Sequence, residues 1–72
     1  MGPHFPVLSG REVRRALEKA GFEYVSTRGD HVKLRQERRV VIVPMHKELK
    51  RGTLRSVLTQ AGLSLEDLRA LL

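Results

Sequence analysis

No cysteine and no tryptophan occur in these 72 residues, and aromatic side chains make up only 4%. The missing thiols exclude a disulfide framework and any thiolate-held zinc, and they suit a reducing compartment. The scarcity of rings means that the core must be built from Val, Leu, Ile and Ala. It also leaves a paired aromatic platform for stacking nucleobases without support, since Phe22 and Tyr24 alternate onto one strand face and Phe22 reads as core. No apolar run approaches the roughly 18–20 residues that a membrane-spanning helix requires. The N-terminus lacks the charged, apolar and small-residue progression of a secretory signal, so the expected location is the cytoplasm, without membrane association. Two of the three prolines fall in the first six residues, which reads as an irregular lead-in. A chain of this length is expected to form one domain over residues 1–72, with a thin core.

Positive charge is what the sequence has in excess: a formal net charge of +6. Residues 28–55 hold nine Arg or Lys (Arg28, Lys33, Arg35, Arg38, Arg39, Lys47, Lys50, Arg51, Arg55) against Asp30, Glu37 and Glu48. The flanking segments nearly cancel. A concentrated positive field attracts phosphodiester backbones through counterion release. A solvated basic face is the plainer alternative at this level.

Local patterns order the elements. Ser9-Gly10-Arg11-Glu12 is a capping box, with Leu8 placed to staple onto Val13. Val13, Ala16, Leu17 and Ala20 then follow helical spacing until Gly21, which predicts a helix over about 10–20. Phe22 to Thr27 is rich in aromatic and β-branched residues and reads as a strand, and Arg28-Gly29-Asp30 supplies a turn. His31 to Gln36 alternates strictly, and Glu37-Arg38 makes a second turn. Arg39 to Val43 is a continuous apolar run, which suggests a central or doubly covered strand ending at Pro44. Met45 to Arg51 is a basic loop. Leu54, Val57, Leu58 and Ala61 mark an amphipathic helix over 53–61, closed by Gly62. Ser64 to Asp67 is a second capping box, after which Leu65, Leu68, Leu71 and Leu72 extend the apolar stripe. The order α-β-β-β-α-α predicts an α+β fold, a three-stranded antiparallel sheet covered on one face by helices.

If Val32 and Leu34 point at the helices, the pleat puts His31, Lys33 and Arg35 together on the open face. Cations there hold phosphate oxygens, and an imidazole titrates near neutrality, so it can take a proton from a ribose 2′-hydroxyl or give one to a leaving 5′-oxygen. An ordinary exposed polar histidine fits the same spacing. His46, after Pro44-Met45, is read as a second proton-transfer group, a phosphate ligand or a loop-stabilising hydrogen bonder. Lys50-Arg51-Gly52-Thr53 resembles an anion site at a helix start, although its order is not that of a nucleotide-binding phosphate loop. The spacing of the three histidines matches no metal motif, and neither a metal nor a cofactor is expected. His4 falls in the lead-in and is assigned no role.

Several segments together resemble a known family. They are Ser9-Gly10-Arg11-Glu12-Val13, Ala20-Gly21-Phe22, Arg28-Gly29-Asp30-His31, Val43-Pro44-Met45-His46, Lys50 to Leu58, and Ala61-Gly62-Leu63-Ser64. In this order they resemble the HicA toxins of bacterial and archaeal toxin–antitoxin pairs, over about Val7 to Leu65. The resemblance implies a fold like a double-stranded-RNA-binding domain, a metal-independent mRNA interferase, and a HicB-type antitoxin that blocks its active site. It maps the family's catalytic histidine onto His31 and the preceding glycine onto Gly29. Asp30 stands where the family most often has Ser. If the strand has already begun at Asp30, its carboxylate and His31 diverge; if the turn bends them together, Asp30 favours the imidazolium. The expectation is an endoribonuclease toxin with His31 as proton-transfer group. Lys33, Arg35, Lys47, Lys50 and Arg51 would hold the RNA backbone, with Gly29 and His46 in support. A non-catalytic RNA-binding module of the same fold is the alternative, and a domain whose basic face serves an acidic protein is a third.

Overall fold

The computed structural model describes residues 5–72; residues 1–4, His4 among them, lie outside the described residues. The first helix, α1, spans Gly10–Lys19. It starts where the capping box places it: the Ser9 hydroxyl accepts from the Glu12 amide, and the Glu12 carboxylate accepts from the Ser9 amide. Three strands follow, β1 (Glu23–Arg28), β2 (His31–Gln36) and β3 (Arg39–Pro44), joined by two-residue turns into an antiparallel sheet of order β1-β2-β3. Helices α2 (Arg51–Ala61) and α3 (Leu65–Leu71) complete the α-β-β-β-α-α order, an α+β fold. Ser64 and Asp67 cap α3 as the second box. Among the described residues, no helix is long and apolar enough to cross a membrane.

One apolar cluster holds the layers together. Val13, Ala16 and Leu17 of α1 meet Val32 and Leu34 of β2, Val41 and Val43 of β3, and Leu54, Val57, Leu58 and Ala61 of α2. Leu8, Phe22, Leu49 and Leu68 close its margins, so the loop before α2 and the last helix are both anchored in the core. Leu72, expected on the same stripe, is exposed.

Two expectations for the sheet need correction. The apolar run of β3 does not mark a central strand, because β2 occupies the centre and β3 an edge. Its alternate residues serve different surfaces: Val41 and Val43 are buried, whereas Val40 is 43% exposed and Ile42 half-buried. The free edge of β3 is covered from the side by α2, where Gln60 Oε1 accepts from the Ile42 amide at 2.8 Å. Pairing one edge N–H in this way removes part of the template that would attract another strand. The first strand, in turn, begins one residue later than Phe22 and contributes no buried residue. Phe22 is core, but Tyr24 is half-exposed beyond the helical layer, its ring under the Arg14 guanidinium at 4.9 Å.

Candidate active site on the open sheet face

The turn between β1 and β2 sets the site. Its two central residues are Gly29 and Asp30, and Gly29 has φ 62, the positive value that a type II′ hairpin needs at its first central position. A two-residue turn forces the flanking residues to pair, and Arg28 stands opposite His31. Val32 and Leu34 are buried on the helical side, so His31, Lys33 and Arg35 face outward on the uncovered side, as the alternation predicts. Across the sheet, His31 lies between Arg28 and Pro44, Lys33 between Ser26 and Ile42, and Arg35 between Glu23 and Val40. Paired residues in an antiparallel ladder share a face. Ser26 and Arg28 therefore stand beside His31.

Those two positions were missed by sequence reasoning because β1 contains a bulge. Tyr24 pairs with Leu34, yet Ser26 pairs with Lys33, which leaves Val25 as an extra residue. Simple alternation from Tyr24 would turn Ser26 and Arg28 toward the helices; the extra residue turns them outward. A signal for Arg28 was present all the same, since a two-residue Gly-Asp turn fixes its neighbours as a pair. Ser26, Arg28, His31, Lys33 and Ile42 line a depression of about 280 Å³.

Asp30 joins the two histidines. Its Oδ2 lies 2.7 Å from His46 Nε2, and its Oδ1 lies 3.6 Å from His31 Nε2. The turn thus bends Asp30 and His31 together, and the diverging arrangement is not adopted. The hydrogen bond from His46 holds the Asp30 carboxyl below the ordinary aspartate range; the nearby His31 and His46 charges add to this, while partial dehydration opposes it. An ionised carboxylate only accepts, so His46 Nε2 is the donor. All three side chains are more than half exposed (55% for each histidine, 58% for Asp30), which gives solvent and solutes access to them.

The loop carrying His46 is fastened at three main-chain points. The Met45 amide donates to Asp30 O at 2.6 Å, the Gly10 amide to His46 O at 2.9 Å, and the Leu49 amide to Leu8 O at 2.7 Å. Gly10 is needed for this approach: a Cβ there would stand 2.0 Å from Pro44 O. Of the three roles open to His46, the loop-stabilising hydrogen bond is the one its geometry displays.

The remaining cations are spread out. Arg35 sits farther along the open face, opposite Glu23. Lys47 is exposed in the loop, one residue past His46. Helix α2 begins at Arg51, two residues before the expected start, and its N-cap residue Lys50 makes no side-chain cap. Lys50 and Arg51 line a separate depression with Phe5, Pro6 and Val7, where the Arg51 guanidinium lies 4.9 Å from the centre of the Phe5 ring. They are therefore not gathered around His31 with Arg28 and Lys33. Among the described residues, no group of three or more acidic, histidine or cysteine side chains is arranged to hold a metal ion.

Residues 10–63 match the family model described as the HicA toxin of bacterial toxin–antitoxin. The matched segment runs from the first residue of α1 to the residue after Gly62 and takes in the whole sheet and the Asp30–His46 contact. No curated protein matches the chain.

Proposed function

The chain belongs to the HicA toxin family and is thus a toxin of a toxin–antitoxin system, and from that premise we propose that it is an endoribonuclease cleaving mRNA without a metal, with His31 as its proton-transfer group. The observation that carries this reading is the exposed His31 imidazole between Arg28 and Lys33 on the uncovered sheet face. The two cations seat the phosphate and offset the charge that builds on its non-bridging oxygens. His31 takes the proton of the ribose 2′-hydroxyl, and the freed oxygen attacks the adjacent phosphorus. The bond from phosphorus to the 5′-oxygen breaks, and that oxygen leaves with a proton from solvent. The products are a 2′,3′-cyclic phosphate and a 5′-hydroxyl. Asp30, 3.6 Å from His31 Nε2, offsets the positive charge that the imidazole gains on taking the proton.

Arg35 and Lys47 extend the positive track from this centre, while Lys50 and Arg51 contact the RNA backbone farther along. The partner is a HicB-type antitoxin that covers the open face, and both act in the cytoplasm. The measurement is RNA cleavage in EDTA: His31→Ala loses about 10²–10⁴-fold of the rate. Full cleavage by that variant rejects the mechanism. One observation favours a second reading, a non-catalytic RNA-binding module. Asp30 Oδ1 lies 3.6 Å from His31 Nε2, so this ring nitrogen is turned toward a carboxylate and not toward an incoming 2′-hydroxyl. That reading predicts RNA affinity with steep salt dependence and no cleavage by the wild type.

A further inference from the structure

We infer that the groove between α2 and the open face of the sheet seats a nucleobase, so that one nucleotide lies across His31 with its phosphate on one side and its base on the other. This rests on the reading of His31 as the proton-transfer group for RNA and adds the binding site of the reacting nucleotide's base. Two depressions share His31 and Ile42. The first is the basic one, which contains Arg28 and Lys33. The second, about 340 Å³, runs past Pro44 and along one stripe of α2 from Gly52 and Thr53 through Ser56 to Gln60. It contains no Lys, Arg, Asp or Glu. Both volumes lie near the lower end of ligand pockets, about 300 Å³, so each suits one small moiety.

The chemistry of the two halves differs in the way a nucleotide requires. A phosphate goes to the two cations. A base is neutral and flat, with a polar edge, and the second groove offers aliphatic surface from Ile42 and Pro44, which are half-buried, together with hydroxyls. One of these hydroxyls is preset. The Gln60 amide is held at both ends, Oε1 accepting from the Ile42 amide and Nε2 donating to Ser56 Oγ at 3.2 Å. That bond uses one lone pair of the Ser56 oxygen, and the Ser56 proton is available to donate toward a carbonyl or ring nitrogen on a base edge. The groove mouth is open at Gly52, where nothing lies within 4 Å of the position a Cβ would take. With phosphate and base so placed, the ribose falls beside His31, where its 2′-hydroxyl must be for proton transfer.

Amide spectra of the whole chain, titrated with inorganic phosphate and with the four nucleoside 3′-monophosphates, test this. Phosphate is expected to move the amides of Ser26, Arg28 and Lys33. The nucleotides are expected to move these and also Gly52, Thr53 and Ser56, with dissociation constants that differ among the bases by about threefold or more. Ser56→Leu, at an exposed position, is expected to remove the α2 response to nucleotides; Thr53→Val provides a second variant of the same groove. Nucleotides that move only the amides phosphate moves would overturn the inference. So would phosphate that moves the α2 amides equally, since the groove would then be an anion seat. Cleavage plays no part in these titrations. A fully active His31→Ala would reject the proton-transfer reading and leave the base site standing, whereas an inactive His31→Ala with silent α2 amides would reject the base site alone.

Discussion

Replacing Gly10 by alanine adds one methyl group and should be among the most damaging small changes available to this chain. The new Cβ would stand 2.0 Å from Pro44 O and 2.9 Å from Met45 Cα, both main-chain atoms. An ordinary carbon–oxygen contact lies near 3.3 Å, so the Pro44 carbonyl must retreat by about 1.3 Å. Overpacking of this kind costs about 1–3 kcal/mol. Loss of the hydrogen bond from the Gly10 amide to His46 O adds about 1 kcal/mol. Against this, alanine gains up to about 1 kcal/mol over glycine in a helix. The net loss is about 1–3 kcal/mol, which for a domain of this size lowers the melting temperature by about 5–20 °C. Gly52→Ala is the matched control, because nothing lies within 4 Å of its added Cβ and only the helical gain remains. Circular-dichroism melts of the two variants should therefore move in opposite directions. Because the displaced segment carries His46, Gly10→Ala should also release the His46 ring from Asp30, which imidazole nitrogen resonances report. Equal or stabilising melts for Gly10→Ala would refute the reasoning.

Three further outcomes can be measured directly. Glu37 occupies the left-handed region with φ 55, so Glu37→Gly should raise stability by about 0.5–1 kcal/mol in thermal melts, and a lowered melting temperature would contradict the strain. The Asp30 carboxyl is lowered in the folded chain, chiefly by its hydrogen bond from His46. Its contribution to stability is therefore full above the ordinary aspartate value, near pH 3.9, and is lost as pH falls through the lower folded value. The gap in melting temperature between wild type and Asp30→Asn should close in acid; a gap that does not change with pH counts against this. Arg28→Ala should weaken RNA binding and reduce the slope of log affinity against log salt by about one contact, and an unchanged slope would remove Arg28 from the phosphate site.

Helices, turns and the inner face of the central strand are written locally in this sequence. Ser9 with Glu12 and Ser64 with Asp67 start helices through bonds three residues apart, and the pleat of β2 follows from alternation over six residues. Exposure of His31, Lys33 and Arg35 follows from that same alternation, because a buried Val32 and Leu34 leave their neighbours only the other face. Strand order is not local. The Val-Val-Ile-Val run reads as doubly covered, but what flanks β3 depends on where the chain packs α2, a segment that meets it through Gln60 about 18 residues later. The bulge at Val25 depends likewise on a partner strand, and with it the presence of Ser26 and Arg28 at the site. His46 reaches Asp30 across 16 residues because the loop is tied to the start of α1. Periodicity and capping were legible in the sequence because they are set by neighbours within one turn or one pleat. The assembly of Arg28, Asp30, His31 and His46 was decided by tertiary structure, since it depends on contacts between segments whose order in space no local pattern encodes.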